Sequence, residues 1–182
     1  STKLYGGSIN QFNHSFKSFG WTPKWADPDD LSAFEAAIGP RTKAIFIESI
    51  ANPGGVICDI EGIAKIAKKA RIPLIVDNTL ASPYLVRPFE HGADIVVHSA
   101  TKFLGGHGNS IGGLVVDGGS FDWLADRRYP MLSEPRPEYG GMVLGETFGN
   151  FAFAIALRVL SLRDLGPALS PFNAFMILTG VE

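Results

Sequence analysis

Short runs of apolar residues alternate with a helical segment in this sequence, and that alternation constrains the fold more than any other feature. The runs span residues 43–48, 73–76, 94–98 and 111–116 and consist largely of isoleucine, valine and other apolar residues. Residues 59–71, between the first two runs, carry apolar side chains at helical spacing. Continuous apolar runs joined by helices are typical of parallel strands buried on both faces. The sequence therefore predicts an α/β fold, a three-layer and mainly parallel sheet with helices on both faces.

Capping residues and chain breakers predict further elements. Asp59 is the expected N-cap of the helix just described, and Asp27 is the expected N-cap of a helix over residues 28–38. A long helix rich in Phe, Ala, Ile and Leu is expected over residues 146–162. Residues 127–141 contain three prolines and mixed charges, which predicts a surface loop or insertion.

Charge and cysteine content exclude several classes of protein and site. The chain has 16 Lys and Arg against 18 Asp and Glu, a net charge of −2 at pH 7, which gives no electrostatic basis for binding nucleic acid or an anionic membrane. No apolar run approaches the length of a membrane span. A single cysteine, Cys58, excludes an internal disulfide and a cysteine-based zinc site, and no histidines have ligand spacing, so we expect no metal. The lone cysteine suits a reducing compartment, and we expect a cytoplasmic protein.

Four polar or glycine-rich segments mark where a ligand could bind. They are residues 5–8, 48–53, 77–83 and 99–108. In open parallel sheets, ligands bind outside the carboxyl ends of the strands. We therefore expect these segments to line one crevice.

The lysine loop, residues 99–108, carries the strongest chemical signal. Ser99 and Thr101 could each donate a hydroxyl to a phosphate, and Lys102 follows them directly. A lysine that is partly desolvated at such a strand end can attack a carbonyl. Two alternatives stay open: an ordinary surface lysine in a glycine-rich turn, and an NTPase phosphate loop. The second lacks its pattern, Gly-x-x-x-x-Gly-Lys-Ser/Thr.

An acidic residue ends the first run, and another follows the second. A buried Asp77 needs a cationic partner, and a cofactor with a protonated ring nitrogen would supply one; the alternative is an aspartate that caps the next turn. Glu48 ends the first run and Asn52 follows it, where the alternative is a simple Asn-Pro turn. We interpret His98 as a packed strand residue rather than a catalytic group.

Taken together and in order, four segments resemble the Cys/Met-metabolism family of pyridoxal-phosphate (PLP) enzymes. They are Leu4-Tyr5-Gly6-Gly7, residues 48–53, Val76-Asp77-Asn78-Thr79 and His98-Ser99-Ala100-Thr101-Lys102. Residues 102–108, 145–149 and 169–175 are similar in particular to its O-acetylhomoserine sulfhydrylase branch. The resemblance implies an aspartate-aminotransferase-like large domain.

The resemblance also implies roles for the predicted site residues. Lys102 would hold pyridoxal 5'-phosphate as a Schiff base and, once released by the substrate, shuttle protons. Asp77 would pair with the ring nitrogen and keep it protonated. Ser99 and Thr101 would bind the phosphate group through their hydroxyls.

Two further residues would contact the cofactor ring. Asn52 would hydrogen-bond the ring 3-oxygen, and Tyr5 would stack on the ring and assist the leaving group as a general acid. Ile50 stands where many members of the family have proline. We therefore expect a small shift of the loop that carries Asn52.

The implied reaction is a γ-replacement in methionine and cysteine biosynthesis, in which sulfide and O-acetyl-L-homoserine give L-homocysteine and acetate. The alternatives within the family are γ-elimination, as by a methionine γ-lyase or a cystathionine-type enzyme, and the use of O-succinylhomoserine. Outside the family, the alternative is a non-catalytic α/β module that binds a phosphorylated ligand. The implied partners are a small amino-acid substrate and sulfide, with neither nucleic acid nor membrane.

The resemblance further implies a domain division and an oligomer. We expect residues 1–170 to be a cofactor-binding domain that lacks its N-terminal part, and residues 171–182 to begin a helix leading to an absent C-terminal domain. That absent domain would carry the arginine for the substrate carboxylate. The family resemblance implies a homotetramer whose sites are completed across subunits.

Overall fold

The computed structural model describes residues 1–182, which divide into two compact units, Ser1–His98 and Ser99–Glu182. The helices and strands of the first unit are α1 (Gly6–Asn13), a 3-10 helix (Ser15–Phe19), α2 (Leu31–Ala37), β1 (Ile45–Glu48), α3 (Ile60–Ala70), β2 (Leu74–Asp77), α4 (Ser82–Leu85), a 3-10 helix (Pro88–His91) and β3 (Ile95–Ser99). The last residue of β3 is the first of the second unit. The domain boundary expected at residue 170 stays a prediction.

The strands of the first unit form the parallel arrangement that the sequence predicts. β1 pairs with β2 and β2 with β3, both in parallel. The register places Glu48 opposite Asp77, and Asp77 opposite Val97. Because parallel strands end at one edge, both carboxylates lie together at the carboxyl ends of β1 and β2.

The core of the first unit lies between its strands and α3. Ile47, Ile63, Leu74 and Val76 are fully buried there. The Asp59 carboxylate accepts a hydrogen bond from the Gly62 N–H at 2.9 Å, which confirms it as the N-cap of α3. Periodicity and capping thus predicted this helix to within one residue.

The predicted helix over residues 28–38 begins later than expected. Its N-cap is Asp30, whose carboxylate accepts a hydrogen bond from the Ser32 N–H, so the prediction of Asp27 as the cap is wrong. The Asp27 carboxylate instead accepts the Asp29 N–H and forms an ion pair with Lys3. A turn closed by the Asp30 N–H on the Asp27 carbonyl occupies the residues between the two aspartates.

The second unit contains shorter and less regular elements. They are β4 (Gly113–Asp117), α5 (Pro130–Ser133), a 3-10 helix (Pro137–Tyr139), α6 (Leu144–Phe148), a 3-10 turn (Gly149–Phe151), α7 (Ala152–Ala156), a π-helical segment (Leu157–Leu162), α8 (Arg163–Leu165) and α9 (Pro171–Val181). The single helix expected over residues 146–162 is therefore wrong. Gly149 adopts a left-handed φ of 52° that an α-helix cannot accommodate, so the helix breaks there.

Two other segments of the second unit bear on expectations from the sequence. The segment over residues 127–141, expected to be a surface loop or insertion, holds α5 and a 3-10 helix. The strand expected to be buried is exposed along most of its length, at Leu114, Val115 and Val116. An apolar run is buried only where other elements cover both its faces, which the run itself does not specify. No helix of the structure has both the length and the apolar character that crossing a membrane requires.

Candidate functional site

A buried carboxylate at the end of β1 organises the first half of the site. Glu48 is 6% exposed. Its Oε1 accepts a hydrogen bond from the Tyr5 N–H at 2.7 Å, and its Oε2 accepts one from the Asn52 N–H at 3.0 Å. One side chain therefore fixes two segments that are far apart in sequence to the end of the strand.

The electrostatics of Glu48 reflect two opposing effects. Burial raises the pKa of the Glu48 carboxyl above its usual range, and the negative charge of Asp77 adds to that rise. The N–H groups of Tyr5 and Asn52 oppose it by stabilising the ionised form. These two N–H groups thus partly offset the cost of a buried charge.

Asp77 ends β2 beside Glu48 and uses one of its oxygens in the next turn. Its Oδ1 accepts the Thr79 N–H at 2.9 Å and also the Thr79 hydroxyl. Asp77 therefore does cap the next turn, as the alternative proposed, but only with one oxygen. The other oxygen, Oδ2, takes part in neither of these bonds, and the residue is only partly buried.

The loop after Asp77 is held by a buried amide that sequence reasoning missed. Asn78 is fully buried, and its Nδ2 donates to the carbonyls of Ser82 at 3.1 Å and Val86 at 2.9 Å. The Ser49 hydroxyl donates to the Asn78 Oδ1 at 2.7 Å. Because each of these groups is satisfied, the backbone that carries Asp77 is fixed. The only sequence signal for the role of Asn78 was its position just after a predicted strand.

His98 lies in β3 as a buried residue, as interpreted from the sequence. Burial lowers the pKa of its imidazole, and the nearby charge of Asp77 opposes that shift. Its Nδ1 is buried and makes no hydrogen bond. Burial therefore disfavours the charged form of this imidazole.

Tyr5 and Asn52 both present accessible side chains. Tyr5 directly precedes α1 and is 54% exposed, with its ring folded over Gly7. A Cβ at position 7 would overlap with that ring where it now lies. Asn52 is also exposed, in a hairpin closed by the bridge between Ile50 and Ile57. Both residues are thus anchored by their backbones and free to contact a ligand with their side chains.

In the second unit, the lysine loop is a tight helical turn. The Lys102 N–H donates to the Ser99 carbonyl at 3.1 Å, and the Lys102 carbonyl accepts the Gly106 N–H at 2.8 Å. Gly105 is required there, because a Cβ would lie 2.8 Å from the Ala100 carbonyl oxygen. Lys102 itself is exposed in this structure. The neighbouring glycines have no side chains with which to cover it.

The hydroxyl of Thr101 is already engaged. Its Oγ1 accepts the Gly112 N–H at 3.0 Å and donates to the Gly112 carbonyl at 3.2 Å. The Thr101 hydroxyl therefore joins the start of the lysine loop to Gly112, just beyond the end of the loop. It would have to rotate away from the Gly112 carbonyl to donate to a phosphate, so the predicted contact of Thr101 with phosphate stays a prediction.

Helix α9 supports the lysine loop from within the same unit. Ile177 is buried against Gly105 and Gly112, and the backbone at Gly180 touches the Gly105 carbonyl. The Asn173 Nδ2 donates to the Ile111 carbonyl at 2.9 Å. The helix expected to lead to an absent C-terminal domain thus packs directly against the backbone of the lysine loop.

Replacing Gly180 with alanine is expected to loosen this packing. A Cβ at Gly180 would overlap with the Gly105 carbonyl, and such overpacking lowers the free energy of unfolding by about 1–3 kcal/mol. Without the clash, alanine in a helix would raise it by about 1 kcal/mol. Urea unfolding of the complete gene product measures the change, with the exposed neighbour Thr179→Ala as the control. A Gly180→Ala protein as stable as the wild type would show that α9 does not press on the loop.

The structure brings the predicted residues together in two groups. Tyr5, Asn52 and Asp77 lie in the first unit. Glu48 accepts hydrogen bonds from the N–H groups of Tyr5 and Asn52, and its register partner in β2 is Asp77. The other group lies in the second unit, where Ser99 ends β3 and Thr101 and Lys102 follow it. The side chains of the first group sit at strand ends, as the rule for parallel sheets predicts.

The chain is similar to known proteins over its whole length. Residues 1–182 match the family described as Cys/Met metabolism PLP-dependent enzyme. The chain is 47% identical to the O-acetyl-L-homoserine sulfhydrylase of Leptospira meyeri, covering 100% of this chain and 43% of that protein. It is 50% identical to the homocysteine synthase of Schizosaccharomyces pombe, covering 98% and 42%. The chain therefore spans about two fifths of the length of these curated relatives.

Solved structures confirm the α/β fold class. A Campylobacter jejuni protein assigned as an O-acetylhomoserine (thiol)-lyase, with a pyridoxyl-lysine monophosphate, superposes with a TM-score of 0.93 at 41% identity, covering 98% of this chain and 44% of that one. An O-acetylhomoserine sulfhydrylase of Wolinella succinogenes gives 0.84 at 35% identity, covering 99% and 48%.

Proposed function

Because this chain belongs to the family of Cys/Met metabolism PLP-dependent enzymes, we propose that it carries the cofactor site of a γ-replacement enzyme. In this reaction sulfide displaces acetate from O-acetyl-L-homoserine and gives L-homocysteine. The observation that carries the proposal is the high identity, over the whole chain, to relatives named for this chemistry. The two solved structures named above support the same assignment.

The side chains present fit pyridoxal phosphate. The Asp77 Oδ2 remains for a protonated ring nitrogen while Oδ1 is held by Thr79. Lys102 offers an exposed primary amine, and Tyr5 offers a half-exposed ring. Ser99 and Thr101 are candidate hydroxyl ligands of the phosphate. An amine, an anion, hydroxyls and an aromatic face are the groups that an anionic aldehyde with a basic ring requires.

Each residue then has a defined task in the proposed reaction. When bound, pyridoxal phosphate supplies an electron sink next to the substrate's amino-bearing carbon. Asp77 would hold a proton on the ring nitrogen, and Asn52 would orient the ring through its 3-oxygen. The Lys102 amine would hold the cofactor and would take and return protons at the α and β carbons of the substrate. Tyr5 would cover the ring face and donate a proton to the departing acetate.

The partners follow from this reaction. We propose an acylated homoserine and sulfide as substrates, a cytoplasmic location, and a homotetramer as the working assembly. The arguments for the last two are the family resemblance and the single buried cysteine, Cys58.

γ-Elimination is the second candidate. The cystathionine gamma-lyase of Lactobacillus plantarum, in complex with L-serine, superposes with a TM-score of 0.71 at 36% identity, covering 100% of this chain and 39% of that one. Replacement and elimination share their steps up to loss of the γ-substituent. The cofactor-binding residues therefore do not separate them, and the assay must.

The discriminating experiment supplies the purified complete gene product with PLP and four substrates. Homocysteine is measured from O-acetylhomoserine and O-succinylhomoserine, each with sulfide, and 2-oxobutyrate is measured from cystathionine and methionine without sulfide. We expect the highest kcat/KM for O-acetylhomoserine with sulfide. Faster 2-oxobutyrate release would establish elimination instead, and PLP binding without turnover of any substrate would contradict both.

A further inference from the structure

We propose that Glu48 is a positioning residue for the cofactor, which holds Tyr5 and Asn52 at the separation that the ring requires. The inference rests on the proposed function, because those two residues are the ones expected to contact the ring. Glu48 itself would not touch the cofactor. It would act through the backbone of each of the other two.

The geometry assigns each oxygen of the carboxylate to one backbone donor. Oε1 takes the Tyr5 N–H at 2.7 Å and Oε2 takes the Asn52 N–H at 3.0 Å. Hydrogen bonds to a charged acceptor are shorter and stronger than neutral ones. A planar carboxylate also fixes the distance between its two oxygens. Glu48 therefore acts as a rigid spacer between two segments that are more than 40 residues apart in sequence.

Tyr5 and Asn52 depend on this spacer because the side chains of both are largely exposed. The Tyr5 side chain is 54% exposed and its ring lies against Gly7. The Asn52 side chain is exposed. Side chains that pack loosely are placed by their backbones. The Ile9 N–H on the Tyr5 carbonyl and the bridge between Ile50 and Ile57 hold each segment locally. Glu48, buried in β1, is the group that holds the N–H of both Tyr5 and Asn52.

The position of Glu48 in the sheet links the spacer to the ring-nitrogen partner. Its register partner in β2 is Asp77. The Ser49 N–H, next in the chain, donates to the Asp77 carbonyl at 2.9 Å. One strand pair therefore sets the relative positions of the stacking residue, the ring-oxygen ligand and the ring-nitrogen partner. Core packing alone would favour an apolar residue at position 48, so the buried carboxylate of Glu48 is explained by the backbone groups that it binds.

Glu48→Gln is the sharpest test, because glutamine has the same shape. Its amide oxygen keeps one of the two hydrogen bonds, while its NH₂ group faces the other N–H and cannot accept. We expect PLP affinity to fall about 10-fold, in line with the loss of a residue that orients a ligand-binding group. We also expect the visible circular dichroism of the bound cofactor to change, because the ring is held differently. The control is Glu35→Gln, an exposed glutamate that pairs with Lys69, and it should change neither.

Coupling separates positioning from general destabilisation. In a Tyr5→Ala/Asn52→Ala background, Glu48→Gln should weaken PLP binding less than 2-fold, because the residues through which it acts are gone. Glu48→Asp keeps the charge but retracts the carboxylate, and we expect it to weaken binding as well. It is the substitute if Glu48→Gln does not fold.

The outcomes are distinct. Unchanged PLP affinity and circular dichroism in both Glu48→Gln and Glu48→Asp, with a wild type that binds PLP, would overturn the role of Glu48 and leave the proposed function standing. A 10-fold loss that persists in the Tyr5→Ala/Asn52→Ala background would also overturn it. A wild type that binds no PLP would overturn the proposed function together with this inference.

Discussion

Replacing Lys102 with alanine is expected to abolish the covalent attachment of pyridoxal phosphate and to lower turnover by about 10⁴-fold or more. The variant loses the amine that we propose both holds the cofactor and carries protons, and each of these roles contributes several orders of magnitude in rate. Lys102 is exposed in a turn that its own side chain does not stabilise, so the fold should be unaffected. The measurement is borohydride reduction followed by peptide mass spectrometry, which should find the pyridoxyl group on Lys102 in the wild type only.

Two further variants make the Lys102 result specific. Lys102→Arg keeps the positive charge but should not rescue attachment, because a guanidinium does not deprotonate to attack the aldehyde. Lys65→Ala, in α3, removes an unrelated lysine and should behave as the wild type. Retention of the reduced pyridoxyl adduct in Lys102→Ala would refute the assignment of this lysine.

Replacing Asp77 with asparagine is expected to lower kcat by about 10²–10⁴-fold while leaving the fold intact. The asparagine oxygen can still accept the hydrogen bonds from Thr79, so the turn survives. The group proposed to face the ring nitrogen becomes neutral, and it would no longer stabilise a proton there. Steady-state kinetics and thermal unfolding of the complete gene product measure the two effects separately.

Asp59→Asn is the matched control for Asp77→Asn. It makes the same chemical change at the N-cap of α3, where asparagine caps as well as aspartate does, and its activity should be that of the wild type. Near-normal kcat in Asp77→Asn would show that Asp77 serves the turn at Thr79 and not the cofactor. A large fall in the unfolding temperature would likewise mean that the kinetic loss is structural.

Local pattern was sufficient to predict three strands and their connecting helix. The β1, β2 and β3 strands and α3 lie within one or two residues of their predicted positions, because strand burial and helix amphipathicity are written directly in residue spacing. The same pattern placed Asp77 and Glu48 at strand ends, since polar residues directly after apolar runs mark those ends. The resemblance of the loops then predicted the family, which the comparisons confirm.

The sequence pattern did not predict features that depend on contacts with distant residues or on the conformation of a single glycine. The Asp27 cap was wrong because Lys3 and a local turn compete for the aspartates of that segment. The expected long helix after residue 146 was wrong because the backbone at Gly149 is left-handed, and a glycine in a sequence does not state its φ. The exposure of Lys102 also depends on which residues surround its loop, and spacing does not say which.

The sequence by itself thus determined the parallel strands, the helix between the first two, the family and the candidate cofactor residues, because each rests on local order or on a motif. Only the tertiary structure decided that Glu48 joins Tyr5 to Asn52, that Thr101 closes its loop on Gly112, and that α9 braces the lysine loop. Each of these contacts joins atoms from segments separated along the chain. Such contacts exist only once the chain has folded, because burial and hydrogen bonding between distant segments are properties of the packed whole.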